Sequence, residues 1–283
     1  MRNMDVDMKS RVESSLPLGL SAFRRMDFPH KLGIAERIFG AQLSQRGVCW
    51  VRCANGVRWK LDMRNASHRW CVYGDYEGPL QMEWLRRHLR NGGHVVDSGA
   101  NIGQMVLYFA PLPGVTVHAF EPTSDSGDWL AECVEANDFR NVEVLRCGLS
   151  STACRLPIQL DEARSTLRMD WYQSAHLKQE IIDLIRLDDY LAQQEIGRVR
   201  LWKLDVEGHE LLALQGAQAA LTNGVIEAIL IEVSESTFDV VKTFLESVGY
   251  GLYAISGETA LTPFGGCPKH NMNLIAKRQL VSR

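Results

Sequence analysis

Two acidic residues follow two successive apolar segments in the first half of the chain. Asp97 lies near the end of the segment 94–98, before a glycine-containing loop, and Glu121 follows the segment 115–120. In a doubly wound sheet, ligands bind outside the carboxyl ends of the strands, and an acid at the second strand tip can accept both ribose hydroxyls. The negative charge beside the first loop suits a cationic group. The pair therefore predicts a site for a nucleoside cofactor that carries positive charge.

The loop after the first acid contains Gly99, Asn101 and Gly103. We expect the two glycines to permit close backbone approach to a ligand. Their spacing is not GxGxxG, which places a pyrophosphate at a helix N-terminus, so the loop disfavours a nicotinamide dinucleotide and an oxidoreductase. S-adenosylmethionine carries an ammonium and a sulfonium and fits better. We expect Cys147 and Gly148, at the end of the third strand, to lie beside its adenine.

A second group of chemically active residues surrounds the end of the fourth apolar segment. Asp205 follows this segment, Glu207 and His209 come within the next turn, and Glu232 lies on the fifth segment. An alcohol is a poor methyl acceptor while protonated, so a positioned base assists the transfer. We predict catalytic roles for Asp205, Glu207 and His209 and a substrate contact for Glu232. Lys203 is predicted to pair with an acid.

Each of these predictions has a structural alternative. Asp205 and Glu207 could cap the following helix, because acids satisfy the unpaired N–H groups of a helix N-terminus. His209 could face solvent, and Glu232 could be a buried structural acid. A metal held by the acids and the histidine is a further alternative, but no dedicated ligand cluster is recognisable, and we predict none.

The order of elements predicts the fold. Strands that alternate with helices imply a parallel sheet with right-handed crossovers. The last two strands have no helix between them, so this pair is predicted to be antiparallel. The prediction is a doubly wound, mostly parallel α/β sheet of seven strands, at residues 94–98, 115–120, 142–147, 199–205, 228–234, 251–255 and 271–277, with helices at 79–90, 103–110, 128–137, 207–222 and 237–248.

The predicted organisation has two parts. Residues 91–283 form the catalytic domain, with an insertion at about 151–192 that we expect to form a flap near the site. Residues 1–90 form a cap or edge extension of helices and a β-hairpin. Apolar and polar residues alternate over 57–63, and Asn55-Gly56 predicts a two-residue hairpin turn. We expect the extension and the insertion to form the acceptor side of the pocket.

Composition narrows the function further. The net charge is −3, and the basic residues Arg86, Arg87, His88 and Arg90 are interpreted as one solvated helix face, so we expect no nucleic-acid partner. Seven cysteines without a CxxC motif indicate thiols in a reducing cytoplasm. Neither an apolar leader nor an apolar run of about 18 residues is present, so we expect no signal peptide and no membrane partner. The oligomeric state stays open.

The chain resembles the FkbM family of methyltransferases over roughly residues 70–278. The resemblance rests on VVDSGANIGQ (95–104), AFEP (119–122), NVEVLRCGLS (141–150), LDDYL (187–191) and KLDVEGHELLALQGA (203–217). Ser98 stands where the family commonly has a hydrophobic residue. The resemblance implies the seven-stranded class I methyltransferase fold, S-adenosylmethionine as the methyl donor, and O-methylation of a sugar, glycan or natural-product hydroxyl.

Two other functions remain open beside O-methylation. The first is a non-catalytic binding scaffold on the methyltransferase fold, and the second is N-methylation of a small molecule. Methylation of a nucleic-acid base is disfavoured, because exocyclic-amine methylation typically uses an Asn/Asp-Pro-Pro-aromatic turn after the fourth strand. Here that position reads Asp205-Val206-Glu207-Gly208.

Overall fold

The computed structural model describes residues 13–26, 28–53, 55–74, 78–160 and 178–279. The strands are β1 (Val48–Arg52), β2 (Arg58–Asp62), β3 (Gly93–Ser98), β4 (Val115–Phe120), β5 (Val142–Leu145), β6 (Gly148–Leu149), β7 (Cys154–Leu160), β8 (Lys178–Ile185), β9 (Val199–Leu204), β10 (Ala228–Val233), β11 (Tyr250–Ile255), β12 (Leu261–Pro263) and β13 (Met272–Arg278). The helices are α1 (Leu20–Phe23), α2 (Lys31–Ser44), α3 (Ala66–Tyr73), α4 (Pro79–His88), α5 (Val106–Phe109), α6 (Ser124–Ala136), α7 (Leu187–Gln193), α8 (Glu210–Gln215), α9 (Gln218–Thr222) and α10 (Phe238–Ser247).

The largest sheet has the strand order β12-β11-β13-β10-β9-β3-β4-β5. The five strands from β10 to β5 are parallel, and β13 runs antiparallel to both β10 and β11. All seven predicted strands are present, and the short β12 adds an eighth. The doubly wound fold and the antiparallel last pair are therefore confirmed. The strand order reverses between β3 and β9, which is where this class of sheet binds its ligands.

Apolar side chains cover both faces of this sheet, because its central strands are buried on both sides. One layer contains Trp202 and Phe120 with residues of α7 to α10, and the other contains Phe109 and Val117. Trp84 of α4 belongs to the second layer. Helix α4 therefore packs on the sheet itself, although it precedes residue 91.

Two helices differ from the sequence prediction. The segment predicted as a helix from residue 103 becomes α-helical only at α5. The helix predicted over 207–222 is divided into α8 and α9, because Gly216 lies between them and packs closely against the backbone of Ser150. A Cβ at Gly216 would lie 2.0 Å from the carbonyl oxygen of Ser150. The carboxylate of Asp188 then accepts hydrogen bonds from the N–H groups of Ala219 and Ala220 at the start of α9.

The N-terminal hairpin is present, but its predicted two-residue turn is wrong. The strands pair from Val48–Asp62 to Arg52–Arg58, and the N–H of Cys53 donates to the carbonyl of Val57. The loop between the hydrogen-bonded residues Cys53 and Val57 therefore has three residues instead of two. Gly56 supplies the left-handed conformation in this loop, with φ of 84°, which glycine adopts without a steric cost.

The hairpin and α3 pack against the first crossover helices of the large sheet. Trp59 donates its indole N–H to the carbonyl of Ile102 at 3.1 Å, and Trp129 of α6 donates to the carbonyl of Lys60 at 2.6 Å. These elements share one apolar cluster with Leu107. The N-terminal segment therefore covers the loop that follows β3.

The predicted insertion supplies β7 and β8 to a small separate sheet in the order β6-β8-β7, in which β6 precedes the insertion. Strands β7 and β8 are antiparallel, and their inward side chains Ile158, Ile182 and Leu184 form a local apolar cluster. Residues 161–177 of this insertion lie outside the described residues. Within the residues that are described, no helix has the length and apolar character needed to cross a membrane.

Candidate functional site

A cavity of about 630 Å³ opens at the carboxyl ends of β3, β4, β9 and β10. Nine of the eleven predicted site residues line it, namely Asp97, Gly99, Asn101, Glu121, Gly148, Asp205, Glu207, His209 and Glu232. Residues separated by more than 130 positions in the chain meet here because the ends of parallel strands share one edge of the sheet.

Glu121 is fixed by the backbone around it. Its side chain is buried, Oε2 accepts a hydrogen bond from the N–H of Asn101 at 2.8 Å, and Oε1 accepts from the N–H and hydroxyl of Thr123 at 2.9 and 2.6 Å. Burial raises the pKa of this carboxyl group, and these hydrogen bonds oppose the rise. Because each carboxylate oxygen can accept two hydrogen bonds, Oε2 retains acceptor capacity toward the cavity.

Asp97 and Lys203 occupy neighbouring positions on β3 and β9. Their Cα atoms are paired across the two strands, and both side chains are buried. The Lys203 ammonium donates to Oδ2 of Asp205 at 2.6 Å. The prediction that Lys203 pairs with an acid is confirmed, and the pairing brings a buried positive charge to an edge of the cavity that is otherwise rich in carboxylates.

Glu232 lies beside this ion pair at the end of β10. Burial and the negative charges of Asp205 and Glu207 raise its pKa, Lys203 lowers it, and the net result is a pKa of about 8. Its carboxylate accepts a hydrogen bond from Nδ2 of Asn271 at 3.3 Å. Glu232 is therefore a carboxyl group that exchanges its proton near neutral pH.

His209 faces the cavity and bonds to a serine on another loop. Its Nε2 lies 3.0 Å from Oγ of Ser150, and burial lowers the pKa of the ring. The interpretation of His209 as a solvent-facing helix residue is wrong, since only 9% of the residue is exposed. It precedes the first residue of α8, and the ring is neutral at physiological pH.

The turn before α8 is held by a third acid, because the carboxylate of Glu210 accepts from the N–H groups of Val206 and Gly208 at 3.3 and 3.0 Å. Glu207 lies in the turn between them with a left-handed φ of 49°. The turn is therefore stabilised by Glu210, and both Asp205 and Glu207 line the cavity.

The glycines serve the fold in a different way from the one predicted. Gly99 lines the cavity, but a Cβ there would lie 1.9 Å from the carbonyl oxygen of Asp205. Its close approach is to the neighbouring strand tip. Gly103 does not line the cavity; a Cβ there would meet the side chain of Leu130 at 2.6 Å. Gly103 therefore allows the loop to pack on α6.

Cys147 is also outside the cavity. It packs against the apolar layer of the sheet, and burial raises the pKa of its thiol to about 11. Gly148, which begins the short strand β6, does line the cavity. Of the two residues predicted to lie beside the adenine, Gly148 alone therefore lines the cavity.

Sequence reasoning missed two walls of the cavity as individual residues. One is the start of α3, with Asn65, His68 and Trp70, and the other is the apolar face of β7 and β8. The N-terminal extension and the insertion were predicted to form the acceptor side, but the individual residues that line the cavity were not predicted. The β-branched and other apolar residues in 178–185 favour a strand, but they do not tell which cavity the strand faces.

The residues present fit S-adenosylmethionine. The buried, hydrogen-bonded Glu121 at the tip of β4 matches a ribose diol, and Asp97 and the other acids match a cationic ligand. Across the described ranges, no group of three or more histidine, cysteine, aspartate or glutamate side chains is arranged to hold a metal ion.

The strand order and the acid-lined cavity at its reversal point define a class I methyltransferase. The profile of the methyltransferase FkbM domain matches residues 97–252. The chain belongs to the FkbM family of methyltransferases, and it is an S-adenosylmethionine-dependent enzyme.

Three relatives are similar in sequence. Methyltransferase 1 of Beauveria bassiana is 26% identical over 214 residues, which is 64% of this chain and 86% of that protein. Methyltransferase sdnD of Sordaria araneosa is 32% identical over 46% of this chain. The 31-O-demethyl-FK506 methyltransferase FkbM of Streptomyces tacrolimicus is 30% identical over 47% of this chain. The chain spans 62% of the length of each of the last two relatives.

Two solved structures show distant similarity. An rRNA methylase from Streptococcus thermophilus matches 71% of this chain and 95% of its own, with 13% identity and a TM-score of 0.39. TYW2 of M. jannaschii in complex with AdoMet matches 81% of this chain and 84% of its own, with 14% identity and a TM-score of 0.38. The assignment of the fold therefore rests on this chain's own strand order.

Proposed function

We propose that this enzyme transfers a methyl group to a hydroxyl of a natural product, glycan or sugar. The observation that carries the proposal is the group of acids at the ends of β9 and β10, where Asp205, Glu207 and Glu232 line the cavity together. Carboxylates accept the hydrogen of a hydroxyl group and so make its oxygen a better nucleophile. The relative from Streptomyces tacrolimicus is named for a 31-O-demethyl-FK506 substrate, which supports a natural-product hydroxyl.

We assign the two sides of the cavity to the two substrates. Asp97, Gly99, Asn101, Glu121 and Gly148 hold S-adenosylmethionine, which supplies an electrophilic methyl group when bound. Gly103 supports this side by its packing on α6, and Cys147 supports it from the apolar layer.

Asp205, Glu207 and His209 assist the acceptor oxygen, and Glu232 contacts the acceptor. Asp205 holds the Lys203 ammonium in place. The neutral ring of His209 can accept a hydrogen bond. The N-terminal extension and the β7–β8 pair complete the acceptor side, since both contribute residues to the cavity wall. In this proposal, the part before residue 90 serves the acceptor and the part after it forms the catalytic domain. Helix α4 is the exception, because it packs on the large sheet.

The test is methyl transfer from isotope-labelled S-adenosylmethionine to 31-O-demethyl-FK506 and to a panel of hydroxylated natural products and sugars. We expect a product with one added methyl group on oxygen, located by fragmentation and NMR. Asp205→Asn should reduce turnover, while cofactor affinity stays within a few-fold of the wild-type value. Asp239→Asn, a substitution on α10, is the matched control. A methyl group found on nitrogen or carbon contradicts the proposal and leaves the enzyme class intact.

A further inference from the structure

Glu232 occupies the end of β10 next to the residues of β9 that line the cavity. In the parallel pair, Ile231 lies opposite Leu204, so the chain continues to Glu232 and Asp205 at the same level of the sheet. On its other side, Glu232 lies opposite Asn273 of β13. The side chain is half-buried and lines the cavity. Glu232 therefore lies at the edge of the sheet that lines the cavity, one strand away from the ion pair of Lys203 and Asp205.

Three of the neighbouring titratable side chains have defined partners. Asp205 accepts a hydrogen bond from the Lys203 ammonium at 2.6 Å, so one of its carboxylate oxygens is already engaged. His209 bonds through Nε2 to the Ser150 hydroxyl, and burial lowers the pKa of its ring. Glu210 accepts two backbone N–H groups. Glu232, by contrast, has one long hydrogen bond, of 3.3 Å, from the side chain of Asn271.

Four charged groups act on Glu232 from the elements packed against it. Lys203 belongs to β9, Asp205 and Glu207 to the turn after β9, and Glu210 to α8. The three acids raise the pKa of Glu232 and Lys203 lowers it, on top of burial, and the result is about 8. A base is most effective when its pKa lies near the working pH.

We propose that Glu232 is the group that takes the proton of the acceptor hydroxyl, a role that rests on the proposed O-methylation. The bond between the acceptor oxygen and the methyl carbon forms as the sulfur–carbon bond of the donor breaks. The donor leaves as a neutral thioether, and the hydroxyl proton passes to a carboxylate oxygen of Glu232. The step needs no other reactant.

The charge of the ligand then controls the proton on Glu232. A positive charge in the cavity favours the ionised carboxylate, which is the form that can accept a proton. Loss of that charge favours the protonated carboxyl, which is the form present after transfer. The acid group therefore becomes more basic as the reaction proceeds. It follows that S-adenosylmethionine should displace a proton from the protein, whereas S-adenosylhomocysteine should displace fewer.

This difference can be measured without an acceptor. Each ligand is titrated calorimetrically into the full-length protein at pH 7.5 in two buffers of different ionisation enthalpy, which gives the number of protons released. We expect more protons released with S-adenosylmethionine than with S-adenosylhomocysteine. The amino and carboxylate groups are the same in both ligands, so the difference isolates the sulfonium. Glu232→Gln should abolish the difference while both ligands still bind.

Glu235→Gln is the matched control, because Glu235 is an exposed glutamate three residues further along and should keep the wild-type difference. Equal proton release by the two ligands in the wild type, or a difference that persists in Glu232→Gln, overturns the role of Glu232. Either result leaves transfer to a hydroxyl standing, because another base would then serve it. With an acceptor from the panel above, Glu232→Gln should lower kcat by about 10²–10⁴-fold and remove the rise in kcat with pH that ionisation of Glu232 causes.

Discussion

The two sides of the cavity hold their acids by different means. On the β3–β4 side, Glu121 is held by hydrogen bonds from the backbone of Asn101 and Thr123. On the β9–β10 side, Asp205 is held by the Lys203 side chain, and Glu232 is surrounded by other carboxylates. Backbone donors have a fixed charge and position, whereas side-chain partners titrate and respond to one another. The hydrogen bonds on the β3–β4 side are therefore fixed, whereas the protonation of the acids on the β9–β10 side responds to nearby charge.

This contrast suits a methyltransferase. The cofactor is the same molecule in every cycle, so fixed hydrogen bonds lower the cost of positioning it. The acceptor must lose a proton during the reaction, so its side of the cavity needs a group whose protonation changes. The comparison predicts that substitutions on the β3–β4 side act mainly on binding and stability, and that substitutions on the β9–β10 side act mainly on proton equilibria.

Glu121→Ala should have the largest effect. It removes a ribose acceptor and leaves the N–H groups of Asn101 and Thr123 without their partner. We expect S-adenosylmethionine binding to weaken by about 1–3 kcal/mol, and the free energy of unfolding to fall by about 1–3 kcal/mol. Calorimetric binding and denaturant unfolding measure the two effects. Glu132→Ala, which removes an exposed acid of α6 that pairs with Lys60, should cost about 0–1 kcal/mol. Unchanged cofactor affinity in Glu121→Ala would contradict the assignment of this side.

Much of the fold and of the cofactor side could be predicted from the sequence, because the signals are local. An apolar strand, an acid and a glycine-containing loop occur within about ten residues, and their order fixes the sheet edge at which they lie. Asp97 and Glu121 were found in this way. The structural reasons for the individual glycines could not be predicted. Gly99 and Gly103 are needed because they pack against Asp205 and Leu130, which are distant in the chain.

The acceptor side was less predictable for the same physical reason. Asp205 and Glu232 were found as acids at strand ends, but the pairing of Asp205 with Lys203 and the repulsion between the two acids depend on three-dimensional packing. The contact of His209 with Ser150 joins two loops that are 59 positions apart, and no periodicity reports it. The segment from Asn65 to Trp70, at the start of α3, carries no recognisable motif, although it supplies a cavity wall.

Ser98 joins the two sides, and its substitution should have an intermediate effect. Its hydroxyl accepts the indole N–H of Trp202 at 2.8 Å between β3 and β9, in a fully buried position. This bond accounts for a serine at a position that is commonly hydrophobic in the family. Ser98→Val should lower the free energy of unfolding by about 1–3 kcal/mol, because it leaves a buried donor unsatisfied.

The double variant Ser98→Val with Trp202→Phe tests this explanation. Replacing both partners removes the unsatisfied donor, so part of the lost stability should return relative to the sum of the two single substitutions. Strictly additive effects in denaturant unfolding would show that the hydrogen bond does not join these residues. In both variants, the difference in proton release between the two ligands should stay as in the wild type, because Glu232 and its neighbours are unchanged.

Lys203→Met should have the smallest effect on binding and a specific effect on pH dependence. The folded protein raises the pKa of Glu232 to about 8 from 4.5. Its proton therefore contributes stability that is fully present below about pH 4.5 and is lost as the pH rises through about 8. Lys203 lowers this pKa, so removing its charge should move the loss to higher pH. Unfolding of the cofactor-free protein between pH 6 and 9 measures the midpoint, with Lys242→Met on α10 as the control. A midpoint that stays fixed or moves to lower pH in Lys203→Met would show that the acids of the β9–β10 side are not coupled to Lys203, and the contrast between the two sides would then lack its physical basis.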